Sequence, residues 1–236
     1  MAIYAISDLH LSFKQPKPMD IFGDNWKDHA ERTKANWMQK VKEQDTVLLP
    51  GDFSWAMKLE DTLPDFQFLN ALPGRKLLLK GNHDYWWTTL NKMRNFLQEN
   101  NIVNVDFIYN NSYCVEDTII CGTRLWSFND TKDGKKMLER EINRLKLSLE
   151  DGIQQFGTQK RIIVCMHYPP VSNATMADTE MMQKIFAVLQ EYSVSICIYG
   201  HLHGDSHKEA VEGVKNGILF KLVSGDYINF DPICLS

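Results

Sequence analysis

No stretch of the chain is both long and uncharged enough to cross a bilayer. The first residues, Met1-Ala2-Ile3-Tyr4-Ala5-Ile6-Ser7-Asp8, carry neither the basic nor the apolar segment of a secretion signal. No two cysteines are spaced as CxxC, and the five present (114, 121, 165, 197 and 234) are odd in number. Thiolate zinc clusters and disulfide frameworks are thereby set aside, and buried, reduced thiols in a cytoplasmic protein are expected. A basic excess is missing too: 26 Lys and Arg against 30 Asp and Glu leave a net charge of −4, no global field for holding duplex DNA. No repeat, low-complexity tract or linker rich in Pro, Gly or Ser interrupts the 236 residues, so a single domain over 1–236 is expected.

What the chain does have is an alternation of short β-like runs with helical segments. Strands are expected at 3–7, 46–49, 76–79, 103–109, 112–115, 118–121, 161–166, 195–199 and 219–223. Leu138, Ile142, Leu145 and Leu149 form one helical stripe, and Met182, Ile185, Phe186 and Leu189 another. Weaker patterns suggest helices over 26–42, 59–69 and 86–97, and Glu116-Asp117 reads as a hairpin turn. Early alternation followed by consecutive strands implies an α/β protein with mixed sheets.

Five of those runs end in metal-type ligands: Asp8-Leu9-His10, Gly51-Asp52, Gly81-Asn82-His83-Asp84, His167, and Gly200-His201-Leu202-His203. The crevice beyond the carboxyl ends of strands is where α/β sheets build sites. Taken singly, Asp52 also suits a turn and Asn82 a helix N-cap. The glycines before Asp52, Asn82 and His201 fit sharp turns or close backbone approach. Two aspartates, one asparagine and four histidines form a mixed N/O donor set. It excludes Cys-type chemistry, is poor for Ca²⁺ or Mg²⁺, and suits Mn, Fe, Zn, Co or Ni. Seven ligands exceed what one open catalytic ion needs, and two ions sharing a carboxylate fit them better. Two divalent ions, two carboxylates and a hydroxide leave a charge of about +1 for an incoming phosphate.

With these motifs the sequence resembles the calcineurin-like metallophosphoesterase superfamily, the resemblance running from residue 8 to 203. It implies a two-sheet mixed β-sandwich flanked by helices, a four-layer α/β/β/α arrangement. It also implies one metal held by Asp8, His10, Asp52 and His203, and a second by Asp52, Asn82, His167 and His201. The implied activity is hydrolysis of phosphate mono- or diesters by a metal-bridging hydroxide. The family counterpart of His83 stands near the leaving group, where a protonated imidazole would stabilise charge and donate a proton. Asp84 would orient that imidazole and keep its pKa up, or simply sit at a helix N-terminus. One departure is the run Gly51-Asp52-Phe53-Ser54-Trp55, where many relatives carry a further polar residue. The metal ligand is intact, but substrate inferences from better-known branches do not carry over.

Substrate clues are fewer. Phe53, Trp55, Tyr85, Trp86, Trp87, Trp126 and Phe128 crowd the motifs, either as core or, for one or two, as a wall for a nucleobase. On a helix the adjacent Trp86 and Trp87 cannot share a face. Arg124 reads as a phosphate clamp or a surface arginine, and 171–178 as a loop over the site. His29 and His207 are expected on the surface, and 132–136 as a solvated loop and helix start. The expected partner is a small phosphorylated substrate, with no membrane. A nuclease of the same fold and a non-catalytic scaffold are the alternatives. The acidic balance weighs against the first and the complete ligand set against the second.

Overall fold

Apolar runs without polar alternation belong to strands covered on both faces, and that is how the computed structural model arranges them. It describes residues 1–127, 131–171 and 180–235. The first half alternates β1 (Ile3–Ala5), α1 (His29–Lys40), β2 (Thr46–Leu49), α2 (Leu63–Asn70), β3 (Arg75–Leu79), α3 (Leu90–Glu99) and β4 (Val105–Ile108). Then come β5 (Tyr113–Val115), β6 (Thr118–Thr123), α4 (Lys132–Phe156), β7 (Arg161–Met166) and α5 (Glu180–Glu191). The chain closes with β8 (Ile196–Tyr199), β9 (Gly213–Lys215), β10 (Ile218–Leu222) and β11 (Ile233–Cys234).

One sheet has the order β11-β1-β2-β3-β4 and the other β5-β6-β7-β8-β10-β9. Neighbours are parallel except at the margins, where β11, β5 and β9 each pair antiparallel. Along β7, Ile163 and Cys165 face the other sheet's Ala5, Leu48, Leu77 and Leu79 in a shared core. The alternate residues Ile162 and Val164 pack against Leu138, Leu145 and Leu149 of α4 and against Ile185 and Leu189 of α5. On the far side, Val47, Leu49 and Leu78 meet Trp37 of α1, Phe66 of α2 and Met93 of α3. The layers are therefore helix, sheet, sheet, helix, as the resemblance implies. Among the described residues no helix is long and apolar enough to cross a membrane.

Parallel pairing places the carboxyl ends of β1, β2 and β3 along one edge, and those of β7 and β8 along the corresponding edge of the second sheet. Ser7 stitches the two together there. Its N–H donates to Val223 O (2.8 Å), and its carbonyl accepts from Gly225 N (2.9 Å). Every loop carrying a ligand motif starts at this junction.

Several local expectations need correcting. α1 begins at His29, because Lys27 is extended and Asp28 left-handed (φ 51) after a 3-10 turn over Asp24–Trp26. The 59–69 helix is a 3-10 turn leading into α2, with Pro64 in the first turn, where its missing N–H costs no bond. α3 starts only after Thr89, whose side chain accepts from Lys92 N (3.4 Å). Trp86 and Trp87 thus precede the helix and are both buried, so adjacency on a helix does not constrain them. β9 and β11 were not anticipated, being short marginal strands without an apolar run. All five cysteines are free, but Cys114 is half-buried and Cys234 exposed, because β5 and β11 are margins. Phe128 and most of 171–178 lie outside the described residues.

One buried charge stands out in β3. Lys76 is fully buried, its Nζ donates to Leu72 O, and burial pulls its pKa down to about 7. Folding lowers this pKa, so between pH 7 and roughly 10 the unfolded chain holds the extra proton and stability rises with pH. Lys76→Met is expected to stabilise the fold by on the order of 2–4 kcal/mol below pH 7. That gain should fade as pH approaches 10, and thermal melts of both proteins across the range test it.

Candidate metal centre

The ligand loops turn sharply. Asp8 (φ 57), His10 (φ 45), Asp52 (φ 51) and His201 (φ 73) all adopt left-handed backbone, which costs an L-residue roughly 1–2 kcal/mol each. Cross-loop hydrogen bonds hold them there: Asp8 N donates to Gly51 O (3.0 Å) and His10 N to Asp52 O (3.0 Å). His201 N donates to Asp8 Oδ2 (3.1 Å). The reversals turn the side chains of residues two apart, Asp8 and His10, into one space. Two glycines allow the loops to touch. A Cβ at Gly81 would collide with Asp52 Oδ1, and one at Gly200 with Asp8 Oδ2 and Ser7 Oγ.

All seven expected ligands converge. Asp8 accepts from Ser7 Oγ, and its Oδ1 lies 3.3 Å from His203 Nε2. That nitrogen is off the hydrogen-bonding direction and buried without a partner. Asp52 Oδ1 accepts from His83 N (2.8 Å). Its Oδ2 stands 3.7 Å from His10 Nε2 on one side and 3.5 Å from His167 Nε2 on the other. Asn82 Oδ1 lies 2.7 Å from His167 Nε2 and 2.8 Å from His201 Nδ1.

This donor set fits a cation. His167 Nδ1 faces the Pro50 carbonyl at 3.0 Å, which only accepts, so Nδ1 holds the proton. Burial pulls the His167 pKa down to about 3, so the ring is neutral and Nε2 carries a lone pair. That lone pair points at the Asn82 oxygen, an encounter between two acceptors that a positive ion resolves. The carboxylates lead to the same conclusion. Burial, with the charges of Asp8 and Asp84, pushes Asp52 well above the usual carboxylate range. Burial likewise pushes Asp8 up, but the positive charge of the nearby His203 outweighs it and holds Asp8 low. His203 is raised to about 10 because Asp8 and Asp226 together outweigh its burial. The space between Asp8 and His203 therefore takes either a proton or a metal ion.

His83 and Asp84 are not the pair the sequence suggests. Asp84 is fully buried and accepts from the backbone N–H groups of Gly81 (2.7 Å), Asp52 (2.9 Å), Phe53 (3.0 Å) and Ser54 (3.2 Å), and from Trp86 Nε1 (3.0 Å). Its lone pairs are spent tying the Asp52 loop to the Asn82 loop, and none reaches the His83 ring. Burial lowers the His83 pKa, and its Nδ1 has no partner. The ring lies against Trp55 (centroids 4.4 Å) and beside His10 (5.6 Å). Of the aromatics, Phe53, Trp86 and Trp87 are core, whereas Trp55 also stacks on His10 (4.8 Å). Arg124 is half-buried over the Trp126 ring (4.5 Å), not a free surface arginine.

One participant was missed. Asp226 Oδ1 accepts from His203 Nδ1 (2.7 Å), and its Oδ2 accepts from Gly204 N (3.1 Å). His207 Nε2 stands 3.2 Å from that Oδ2, so His207 belongs to this cluster and not to the open surface. His29 is also half-buried, between Trp26 and Phe230. The signal for Asp226 was present: Gly225-Asp226 follows a strand as Gly51-Asp52 does. Asp226→Asn is expected to weaken metal binding by about 10–100-fold with the fold unchanged, because the carboxylate sets the tautomer and basicity of His203. Metal titration alongside circular dichroism measures both.

Comparison with known proteins bears on the fold and the family. The fold resembles that of a protein of unknown function from Aquifex aeolicus, with 19% identity, 99% of this chain and 95% of that one covered, and a TM-score of 0.54. It also resembles the phosphopantetheinyl hydrolase of Mycobacterium tuberculosis, with 14% identity, 94% and 88% covered, and a TM-score of 0.57. No curated protein matches the chain. The calcineurin-like phosphoesterase family matches residues 1–205, which include all seven expected ligands and leave out Asp226 and His207, and the chain belongs to that family.

Proposed function

We propose that the protein is a dinuclear metal-dependent phosphohydrolase acting on a small phosphate ester. The observation that carries this reading is the placement of Asp52 Oδ2 between two imidazole nitrogens, His10 Nε2 at 3.7 Å and His167 Nε2 at 3.5 Å. A carboxylate so placed suits a bridge. Asp8, His10 and His203 would complete one ion's set, and Asn82, His167 and His201 the other's. When bound, two such ions would supply Lewis acidity and lower the pKa of water. Mn, Fe, Zn, Co and Ni all suit these donors.

The remaining work falls to side chains around the centre. Two divalent ions against Asp8 and Asp52 leave about +2, which attracts and orients a phosphate. His83 is half-buried beside His10 and Trp55, with its Nδ1 buried and without a hydrogen bond, and its ring would exchange a proton with a leaving oxygen through Nε2. An anionic substrate beside it raises its proton affinity, offsetting the effect of burial. Asp84 positions both metal loops through their backbone and does not act through His83. Five free thiols suit the reducing cytoplasm.

With added Mn²⁺ the protein is expected to hydrolyse p-nitrophenyl phosphate or its bis-ester. Asp52→Asn should abolish metal occupancy and turnover together. His83→Ala should keep its metal while kcat falls by a factor on the order of 10². Full activity in His83→Ala would remove the proton-transfer role.

A further inference from the structure

Beside the metal centre, at the carboxyl ends of β3, β4 and β6, lies a second, small and partly open cleft, lined among others by Lys80, Tyr109, Asn110, Arg124, Glu141 and Arg144. Three cations and one carboxylate meet there. Glu141 is almost fully buried and already committed: Oε2 accepts from Thr123 Oγ1 (2.7 Å) and Oε1 from Arg144 Nη1 (2.6 Å). It therefore offsets one positive charge and leaves two. Among the described residues neither Lys80 nor Arg124 has an ion pair or a side-chain hydrogen bond, although both are half-buried.

Unpaired, partly desolvated cations that face one another are costly unless an anion joins them. The cleft is also coupled to the reacting end of the molecule. Lys80 precedes Asn82 by two residues, so their Cα atoms are within about 7 Å. The Arg124 carbonyl accepts from His167 N (3.2 Å).

We propose that the Lys80–Arg124–Arg144 cleft binds a second phosphate group of the substrate, so that the metal centre acts on esters carrying two phosphates. This rests on the phosphohydrolase reading above and adds a substrate class to it. A planar guanidinium and a compact ammonium converging on one cleft match a phosphate's several oxygens. A substrate bridging both sites gains affinity from a group remote from the reacting phosphorus.

The test separates the cleft from the catalysis. Protein stripped of metal with EDTA is titrated with inorganic phosphate by calorimetry, where the acidic, metal-free centre repels the anion and only the cleft can hold it. Binding is expected in the wild type, about tenfold weaker in Lys80→Gln/Arg124→Gln, and intermediate in the charge-retaining Arg124→Lys. No binding in the wild type, or binding unchanged in the double variant, overturns the site. With Mn²⁺ present, kcat/KM for adenosine 3′,5′-bisphosphate is expected to exceed that for adenosine 5′-monophosphate by about tenfold or more, and this ratio should approach one in the double variant. A wild-type ratio of one, with phosphate still bound, overturns the substrate class and leaves free phosphate as the occupant. Failure to turn over any ester, p-nitrophenyl phosphate included, sinks the phosphohydrolase reading, while the calorimetric result still decides the cleft.

Discussion

The structure depends on one electrostatic constraint: acceptors outnumber donors in a buried space at the meeting edge of the two sheets. His167 turns a lone pair toward the Asn82 oxygen because the Pro50 carbonyl holds its only proton. Asp8 and Asp52 bring carboxylates into the same space, both almost completely buried. Buried lone pairs and charges of one kind are tolerated only with a positive centre among them. A proton can serve at one point, in the space between Asp8 and His203. Bound metal would answer the rest, and that is the chemistry to which family membership and donor geometry both lead.

Much of the surrounding architecture holds this unfavourable arrangement in place. Four ligand residues sit in left-handed backbone, and glycines allow the loops to approach within a hydrogen bond of each other. Asp84 uses both carboxylate oxygens to clasp four backbone N–H groups from two loops. It is acidic at a metal site without facing a metal or a substrate. Asp226 does the corresponding work for His203, and both acids show how outer partners preorganise ligands at distances where they touch no reactant.

The charge pattern extends beyond the centre. Acids and imidazoles line the junction of the sheets, and a cationic cleft follows at the ends of β3, β4 and β6. The two regions share backbone at Lys80-Gly81-Asn82 and a hydrogen bond between Arg124 and His167. With metal bound as proposed, an anion spanning them would meet positive charge throughout, from the metal at one end and from the guanidinium and ammonium groups at the other. Apolar layers on either side keep both regions at one solvent-facing edge.

Residue type and local period alone determined a good deal. The alternation of β-like runs with helical stripes implied an α/β protein with mixed sheets, and the repeated arrival of Asp, Asn and His at strand ends marked the site edge. Those features are local, because apolar period follows backbone geometry and turn residues follow φ. Partnership was not legible in the same way. Asp84 looked like a mate for its neighbour His83, yet loop geometry turns it toward amides some thirty residues back. Asp226 lies 23 residues from His203, and Lys80, Arg124 and Arg144 come from three separate elements. Helix starts at His29 and Leu90 likewise depended on context, through the left-handed Asp28 and the Thr89 cap. Which groups meet across the edge is set by how one sheet packs on the other, a distance constraint that no short window of sequence contains.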